Sequence, residues 1–162
     1  MPSQTKYPIP RASRRLALAL CIAFVGCAEN GPLGPAFPPV DPEVEAFALL
    51  VNEHRVYQGC EPLTWSPQVA AVAQAHSADM VARGFFAHTN PDGLSPFDRM
   101  SAAGVSYRGA AENIAYGFGT AESVLEAWLD SPGHRANIEN CSLTEHGVGL
   151  EGTHWTHLFR RP

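Results

Sequence analysis

The sequence predicts an α+β fold, in which helices cover one small, mainly antiparallel β-sheet. Three observations lead to this class. Five segments carry helix-start signals with helical spacing of apolar residues, and three of them begin with Ser-Pro. Strand-like segments are few, and no repeated βαβ pattern joins them. The chain has 162 residues, of which 45% are hydrophobic, so it suits one domain with a packed core.

Residues 1–26 are predicted to be a signal peptide of the lipoprotein type, separate from the fold. Basic residues precede an apolar run over 16–25, which is shorter than the roughly 20 residues that span a bilayer. The stretch "FVGC" resembles a bacterial lipobox and predicts lipid attachment at Cys27. Ordinary cleavage nearby, for example after Ala28, is the alternative. The Pro- and Gly-rich residues 27–41 are predicted to be a tether between a membrane and the domain.

The charge of the exported chain limits its partners. Removing the signal peptide takes four of the 11 basic residues and none of the 16 acidic ones, so the net charge becomes −9. Such a surface repels polyphosphates, and nucleic acid is therefore not expected as a partner. The expected location is outside the cytoplasm, as a cell-envelope lipoprotein or, alternatively, as a soluble secreted protein. The oligomeric state is left open.

Two long helices are predicted at the start of the domain, which we place at 42–162. The first has Asp41 as its N-cap, Pro42 in its first turn and Gly59 as its stop. The second runs between Ser66 and Gly84 with the same logic. Their apolar stripes predict the inward faces: Val44, Phe47, Ala48 and Val51 in the first, and Val69, Val72, Ala73 and Met80 in the second.

Three shorter helices and three strands follow. Residues 95–104, 120–130 and 131–137 each open with Ser-Pro or with Thr120 as a cap. Residues 110–117 suit one short strand, and 146–161 suit a hairpin that turns near Glu151-Gly152. In the last strand, alternation places His154 on one face and His157 on the other, so these two are not expected to share a site.

Taken singly, the polar residues favour structural roles. Glu112 is a lone acid among small and apolar residues, which is costly to bury unless it is paired, and an edge-strand carboxylate bonded to backbone amides is the alternative. His88 lies between two phenylalanines and a turn, and His134 follows Pro-Gly. His54 and His76 lie inside helices, where surface or core roles are expected. Convergence of several such groups would favour a functional site instead.

Cys60 and Cys141 are predicted to form a disulfide, because they remain in the exported domain once Cys21 leaves with the signal peptide and Cys27 is assigned to lipid attachment. In the chain-entropy model, closing the long loop between Cys60 and Cys141 adds about 4.5 kcal/mol to the free energy of unfolding. Two buried free thiols are the alternative. A metal thiolate site is less favoured, because neither cysteine has a C-x-x-C neighbour.

Several blocks, taken in order, resemble one family. They include "NEHRVYQGCEPLTWSPQVAAVAQAHSADM", "FFAHTNPDG", "AENIAYG", "VLEAWLDSPGHRANI" and "VGLEGTHWTHLF". Together they cover about 46–159 and resemble the CAP superfamily of cysteine-rich secretory, antigen 5 and pathogenesis-related 1 proteins, in its bacterial SCP-like branch. The resemblance implies a three-layer α-β-α sandwich.

The resemblance also implies a cleft of two histidines and two glutamates. His88 and Glu112 match the first two places, and His154 is assigned to the second histidine. Ser131 stands where many members carry the second glutamate, and His134, Glu126 or water are the candidates to fill that gap. The cleft set is therefore His88, Glu112, His154, His134 and Ser131.

Three functions are compatible with this set. The favoured one is a non-enzymatic binding module for a divalent metal and a small molecule, lipid, peptide or cell-wall component. His88, His154 and Glu112 could hold Zn²⁺ with one position open, or Glu112 could accept hydrogen bonds from both rings without metal. A metal-dependent hydrolase or protease is the alternative, although no triad, nucleophile elbow or HExxH motif is present. A structural interaction module without a ligand is the third.

Overall fold

The computed structural model describes residues 41–162. The predicted signal peptide, the lipid site at Cys27 and the tether up to residue 40 lie outside these residues. Within them the elements are α1 Pro42–Tyr57, β1 Thr64–Trp65, α2 Pro67–Arg83, α3 Pro96–Ala102, β2 Gly109–Tyr116, α4 Ala121–Asp130, α5 Pro132–Ile138, β3 Glu145–Glu151 and β4 His154–Arg161. No helix in this part of the chain is both long and apolar enough to cross a membrane.

The predicted helix boundaries are confirmed by the side chains that cap them. The Asp41 carboxylate accepts a hydrogen bond from the backbone N–H of Glu43, and Ser66 caps α2 in the same way. Ser95 forms a reciprocal capping box at the start of α3. Gly84 ends α2 in the left-handed conformation, at φ 65°, which is open to glycine at little cost.

The four strands form one sheet in the order β1-β3-β4-β2. β2, β4 and β3 pair antiparallel, whereas β1 pairs parallel with β3. β1 was not predicted, because its two residues are too few to show alternation. α2 and α3 pack on one face of the sheet, and α1, α4 and α5 lie on the other. The α+β class and the three-layer α-β-α sandwich are confirmed.

The two faces of the sheet pack differently. On the α2 face, a β-carbon built on Gly147 would overlap the backbone of Ala70, and one on Gly149 would overlap that of Gln74. The backbones of β3 and α2 therefore touch directly. The opposite face is filled by large buried rings, namely Phe47, Trp128, Trp155 and Phe159.

The predicted alternation along β4 is also confirmed. Thr156 faces α2, where its Oγ1 accepts a hydrogen bond from Ser77 Oγ at 2.9 Å. His157 faces the other layer, where its ring lies 5.0 Å from that of Phe47 and 5.9 Å from that of Trp128. His157 is fully buried, and its Nε2 lies 3.0 Å from Nδ1 of the equally buried His146.

The predicted Cys60–Cys141 disulfide is present. Beside it, the buried guanidinium of Arg55 donates to the carbonyls of Ile138, Asn140 and Leu143 at 2.6, 3.1 and 3.0 Å. Both connections tie the end of α1 to the loop that follows α5. The α5 helix, which precedes this loop, forms one side of the cleft described next.

Candidate functional site

Glu112 is the centre of a polar cluster on the α2 face of β2. Only 2% of its side chain is exposed, yet both carboxylate oxygens have partners. Oε1 accepts a hydrogen bond from His88 Nδ1 at 2.8 Å, and Oε2 accepts one from Arg99 Nη2 at 2.6 Å. A carboxylate can remain charged at such depth because a cation and a second donor replace its lost hydration. The alternative of an exposed carboxylate bonded to backbone amides is not observed.

Arg99 connects the carboxylate to the loop that carries His88. It lies on α3, whose capping box fixes the start of the helix, and its side chain is only 10% exposed. Its Nη1 donates to the backbone carbonyls of His88 at 2.7 Å and Leu94 at 3.1 Å. One guanidinium thus holds both the partner of His88 and the backbone of His88 itself.

His76 supports the same loop from beneath. Its ring is buried in α2, and Nε2 donates to the carbonyl of Ala87 at 3.0 Å, next to His88. Burial lowers the pKa of His76, and the positive charge of Arg99 lowers it further, so the ring is neutral at pH 7. Two consecutive carbonyls, of Ala87 and His88, are therefore held by side chains from two different helices.

His88 is the exposed member of the cluster, with 51% of its side chain accessible. A carboxylate only accepts hydrogen bonds, so Nδ1 must carry the proton. In the neutral ring, Nε2 then has a free lone pair. Glu112 thereby fixes the tautomer of a half-exposed imidazole and leaves its second nitrogen available to a ligand.

His134 approaches the same edge of the sheet from the opposite layer. The Asn113 side chain donates to the carbonyl of His134 at 3.1 Å, and Asn137 donates to Asn113 Oδ1 at 2.8 Å. Burial lowers the pKa of His134, and a positive charge on His88 would lower it further, so the two rings are electrostatic neighbours. The cleft therefore lies along the edge strand β2, between the 85–88 loop and α5.

His154, the second histidine of the predicted set, lies at a different level of the sheet from Glu112. His154 pairs with Tyr116 across the sheet, whereas Glu112 pairs with Leu158, four positions further along β4. Four residues of strand separate the two levels by about 13 Å. Alternation places His154 and Glu112 on the same face, but the register places them at different ends of it.

Ser131 lies at the junction of α4 and α5, where it ends the first helix and precedes the second. Its side chain makes no capping hydrogen bond to α5. Glu126, the other acidic candidate, lies on the exposed side of α4. Of the residues considered for the remaining place in the cleft, His134 is the one whose pKa a positive charge on His88 would lower.

The predicted zinc ligands do not fit as a set. His154 is remote, and both oxygens of Glu112 are already bonded to Arg99 and His88. Within residues 41–162, no group of three or more His, Cys, Asp or Glu side chains is arranged to hold a metal ion. His88 Nε2 and the His134 ring supply at most two nitrogens, one ligand fewer than catalytic zinc sites take from protein.

Arg99, His76, Asn113 and Asn137 are site residues that the sequence reasoning missed. One signal for Arg99 was available, because a buried acid requires a cation and all seven basic residues beyond position 26 are arginines. Nothing in the sequence distinguishes Arg99 from the other six.

The comparisons with known proteins agree with this fold. A model of the cysteine-rich secretory protein family, CAP, matches residues 49–155. The chain belongs to this family. Over 112 residues, the CAP domain is 44% identical to the uncharacterized protein YkwD of Bacillus subtilis, covering 68% of this chain and 44% of YkwD. The chain spans less than half the length of the curated relatives that it matches.

Solved structures give the same result. An extracellular protein of Bacillus anthracis that contains an SCP domain matches with a TM-score of 0.72 at 31% identity, over 78% of this chain and 45% of that one. An outer surface protein of Borrelia burgdorferi matches with a TM-score of 0.71 at 20% identity, over 76% and 96%. The second likeness concerns the CAP fold alone.

Proposed function

We propose that this CAP domain is a binding module that acts outside the cytoplasm, and that its cleft holds a polar ligand group through Nε2 of His88. The observation that carries the proposal is the hydrogen bond from His88 Nδ1 to the buried Glu112 carboxylate. It directs a lone pair toward solvent at a half-open site. Such an acceptor suits a ligand that donates a hydrogen bond, such as a hydroxyl or an amide.

The proposed location rests on the leader and on one relative. Residues 1–26 have the organisation of an export signal, and the Bacillus anthracis relative is described as extracellular. A lipid on Cys27 would keep the domain at a membrane surface, because acyl chains bind bilayers by about 0.8 kcal/mol per buried methylene. The Cys27→Ser variant should leave the membrane fraction for the soluble fraction. Its retention by the membrane would contradict lipid attachment.

We propose cell-wall peptidoglycan as the ligand, because it offers hydroxyl and amide donors at the location just described. The net charge of −9 beyond the signal peptide argues against phosphate-rich ligands. No metal is required by this proposal, since the hydrogen bond from His88 to Glu112 is complete without one.

Co-sedimentation with purified peptidoglycan tests the proposal. The His88→Ala variant should bind at least about tenfold more weakly, because the variant lacks Nε2, the hydrogen-bond acceptor for the ligand. The matched control is His54→Ala, since His54 also hydrogen-bonds a glutamate, Glu139 at 2.9 Å, but lies on α1. Binding should be unchanged by this control and by a chelator. Absence of sedimentation, equal losses in the two variants, or loss with chelator would contradict the proposal.

A hydrolase is the second candidate, because a carboxylate and the histidine that it orients are two of the three members of a catalytic triad. Release of soluble fragments from the same peptidoglycan, abolished by His88→Ala, would favour this candidate. Sedimentation without release of fragments would favour the binding module.

A further inference from the structure

A row of three rings, two of them exposed, lies beyond the cleft on the α2 side of the sheet. It consists of Phe86, Tyr116 and His154, which we call the aromatic ledge. The ring centroids of Phe86 and Tyr116 are 6.2 Å apart, and those of Tyr116 and His154 are 4.4 Å apart. Tyr116 is 59% exposed, and Phe86 is 50% exposed although phenylalanine is among the residues most often buried.

The ledge and the cleft are two ends of one stripe. Tyr116 and Glu112 lie on the same face of β2, four residues apart, which corresponds to about 13 Å. Phe86 is two residues before His88 in the same loop. The contact between Phe86 and Tyr116 and the hydrogen bond between His88 and Glu112 therefore join the same loop to the same strand at two levels.

Polar groups border the ledge at its far end. Glu151 pairs with His154 across the hairpin, and its Oε2 accepts a hydrogen bond from Gln74 Nε2 at 3.2 Å. Rings that present a π-face beside carboxylate and amide groups suit a ligand with an apolar face and a hydroxyl rim. Nucleotides could also stack on exposed rings, and anionic lipids could insert between them. The net negative charge of the protein disfavours both classes of ligand.

We infer that the aromatic ledge binds the face of a pyranose ring in a glycan chain whose neighbouring units extend toward His88. The C–H groups of the sugar pack on Tyr116 and Phe86, and its hydroxyls reach His154 and Glu151. This inference rests on the proposed function and specifies the glycan part of the wall, rather than its peptide part, as the ligand. It also assigns a role to His154, which lies outside the cleft.

Titration of the protein with chitotetraose, a soluble N-acetylglucosamine oligomer, tests the inference. Aromatic proton resonances of Tyr116 and Phe86 should shift, and Tyr116→Ala should weaken binding about tenfold. Tyr116→Phe should retain affinity, because it keeps the ring. The matched control is Tyr57→Ala, which removes an 86% exposed ring on α1 and should leave affinity unchanged. Absence of shifts, or equal weakening by Tyr57→Ala, would overturn the inference.

The two proposals fail separately. Peptidoglycan binding that depends on His88 but is unaffected by Tyr116→Ala and by competing chitotetraose would retain the proposed function and overturn the ledge. If chitotetraose binding depends on Tyr116 but His88→Ala has no effect on peptidoglycan binding, glycan binding by the aromatic ledge is supported. The proposal that His88 in the cleft binds the ligand is then overturned. Competition by phospholipid vesicles instead of chitotetraose would also overturn the ledge.

Discussion

The two faces of the sheet bury polar groups in opposite ways. On the α2 face, the Glu112 carboxyl group bonds to Arg99 and His88, and one ring of the cluster reaches solvent. On the other face, His146 and His157 bond only to each other in a sealed core, and burial lowers the pKa of His146 to about 4. Both faces of the sheet carry buried histidines, but only the cluster on the α2 face includes a histidine that a ligand can reach from solvent. Access to solvent and a carboxyl partner therefore distinguish the candidate site better than residue type.

The direct backbone contact on the α2 face gives the largest expected effect. Gly149→Ala would drive a β-carbon into the backbone of Gln74, which cannot yield as a side chain can. We expect the variant not to fold, as judged by loss of the near-UV circular dichroism signal. Gly133→Ala, where a β-carbon meets nothing within 4 Å, is the control and should fold normally. A folded Gly149→Ala protein would show that α2 is free to move away from β3.

The charge pair on the α2 face should contribute the next largest effect. Arg99→Ala leaves a buried carboxylate without its cation, which typically costs about 3–5 kcal/mol of unfolding free energy. Urea unfolding would measure the loss. Arg160→Ala breaks the pair with Glu145, whose carboxylate is 24% exposed and therefore partly hydrated, and should cost less than Arg99→Ala. Equal losses of unfolding free energy in the two variants would mean that burial of the Glu112–Arg99 pair does not make it more important for stability than the Arg160–Glu145 pair.

The sealed histidines predict a loss of stability in mild acid. The pKa of His146 is lowered by burial from 6.5 to about 4, so below pH 6.5 the unfolded chain takes up a proton that the folded chain refuses. Its contribution is complete above pH 6.5 and falls by about 3 kcal/mol as pH approaches 4. Urea unfolding at several pH values would measure the slope.

A double substitution, His146→Gln with His157→Gln, provides the control for this slope. Two amides can still bond to each other but do not titrate, so the slope should become shallower. Its remaining part would come from His76 and His134, whose pKa values are also lowered by burial. An unchanged slope would assign the acid sensitivity to groups outside this histidine pair, such as His76 and His134.

The smallest expected effect concerns the proton on His88. Glu112→Gln replaces an acceptor-only group by an amide, so the preference for the Nδ1–H form should weaken. Nitrogen chemical shifts of the imidazole would report the tautomer directly. His54, which is bonded to Glu139 at 2.9 Å, should keep its shifts in the same variant. An unchanged His88 tautomer would show that another group orients the ring.

The sequence predicted local structure better than it predicted convergence. Caps such as Asp41, Ser66 and Thr120 act within a few residues, so the helix boundaries were recoverable from the sequence. The alternation along β4 correctly separated His154 from His157. The position of His154 relative to Glu112 depends on the register between β2 and β4, which no local pattern specifies. The pairing of Glu112 with Arg99 depends on how α3 packs, and was missed for the same reason.

Two separate interactions connect the end of α1 to the segment around the end of α5. The guanidinium of Arg55 and the Cys60–Cys141 disulfide both reach the segment that follows α5, by unrelated chemistry. A reductant breaks only one of these fastenings, and acid or salt has little effect on the other, because its partners are uncharged carbonyls. Neither a reductant nor a change in acidity or salt would therefore break both connections to the end of α5, the helix that carries His134.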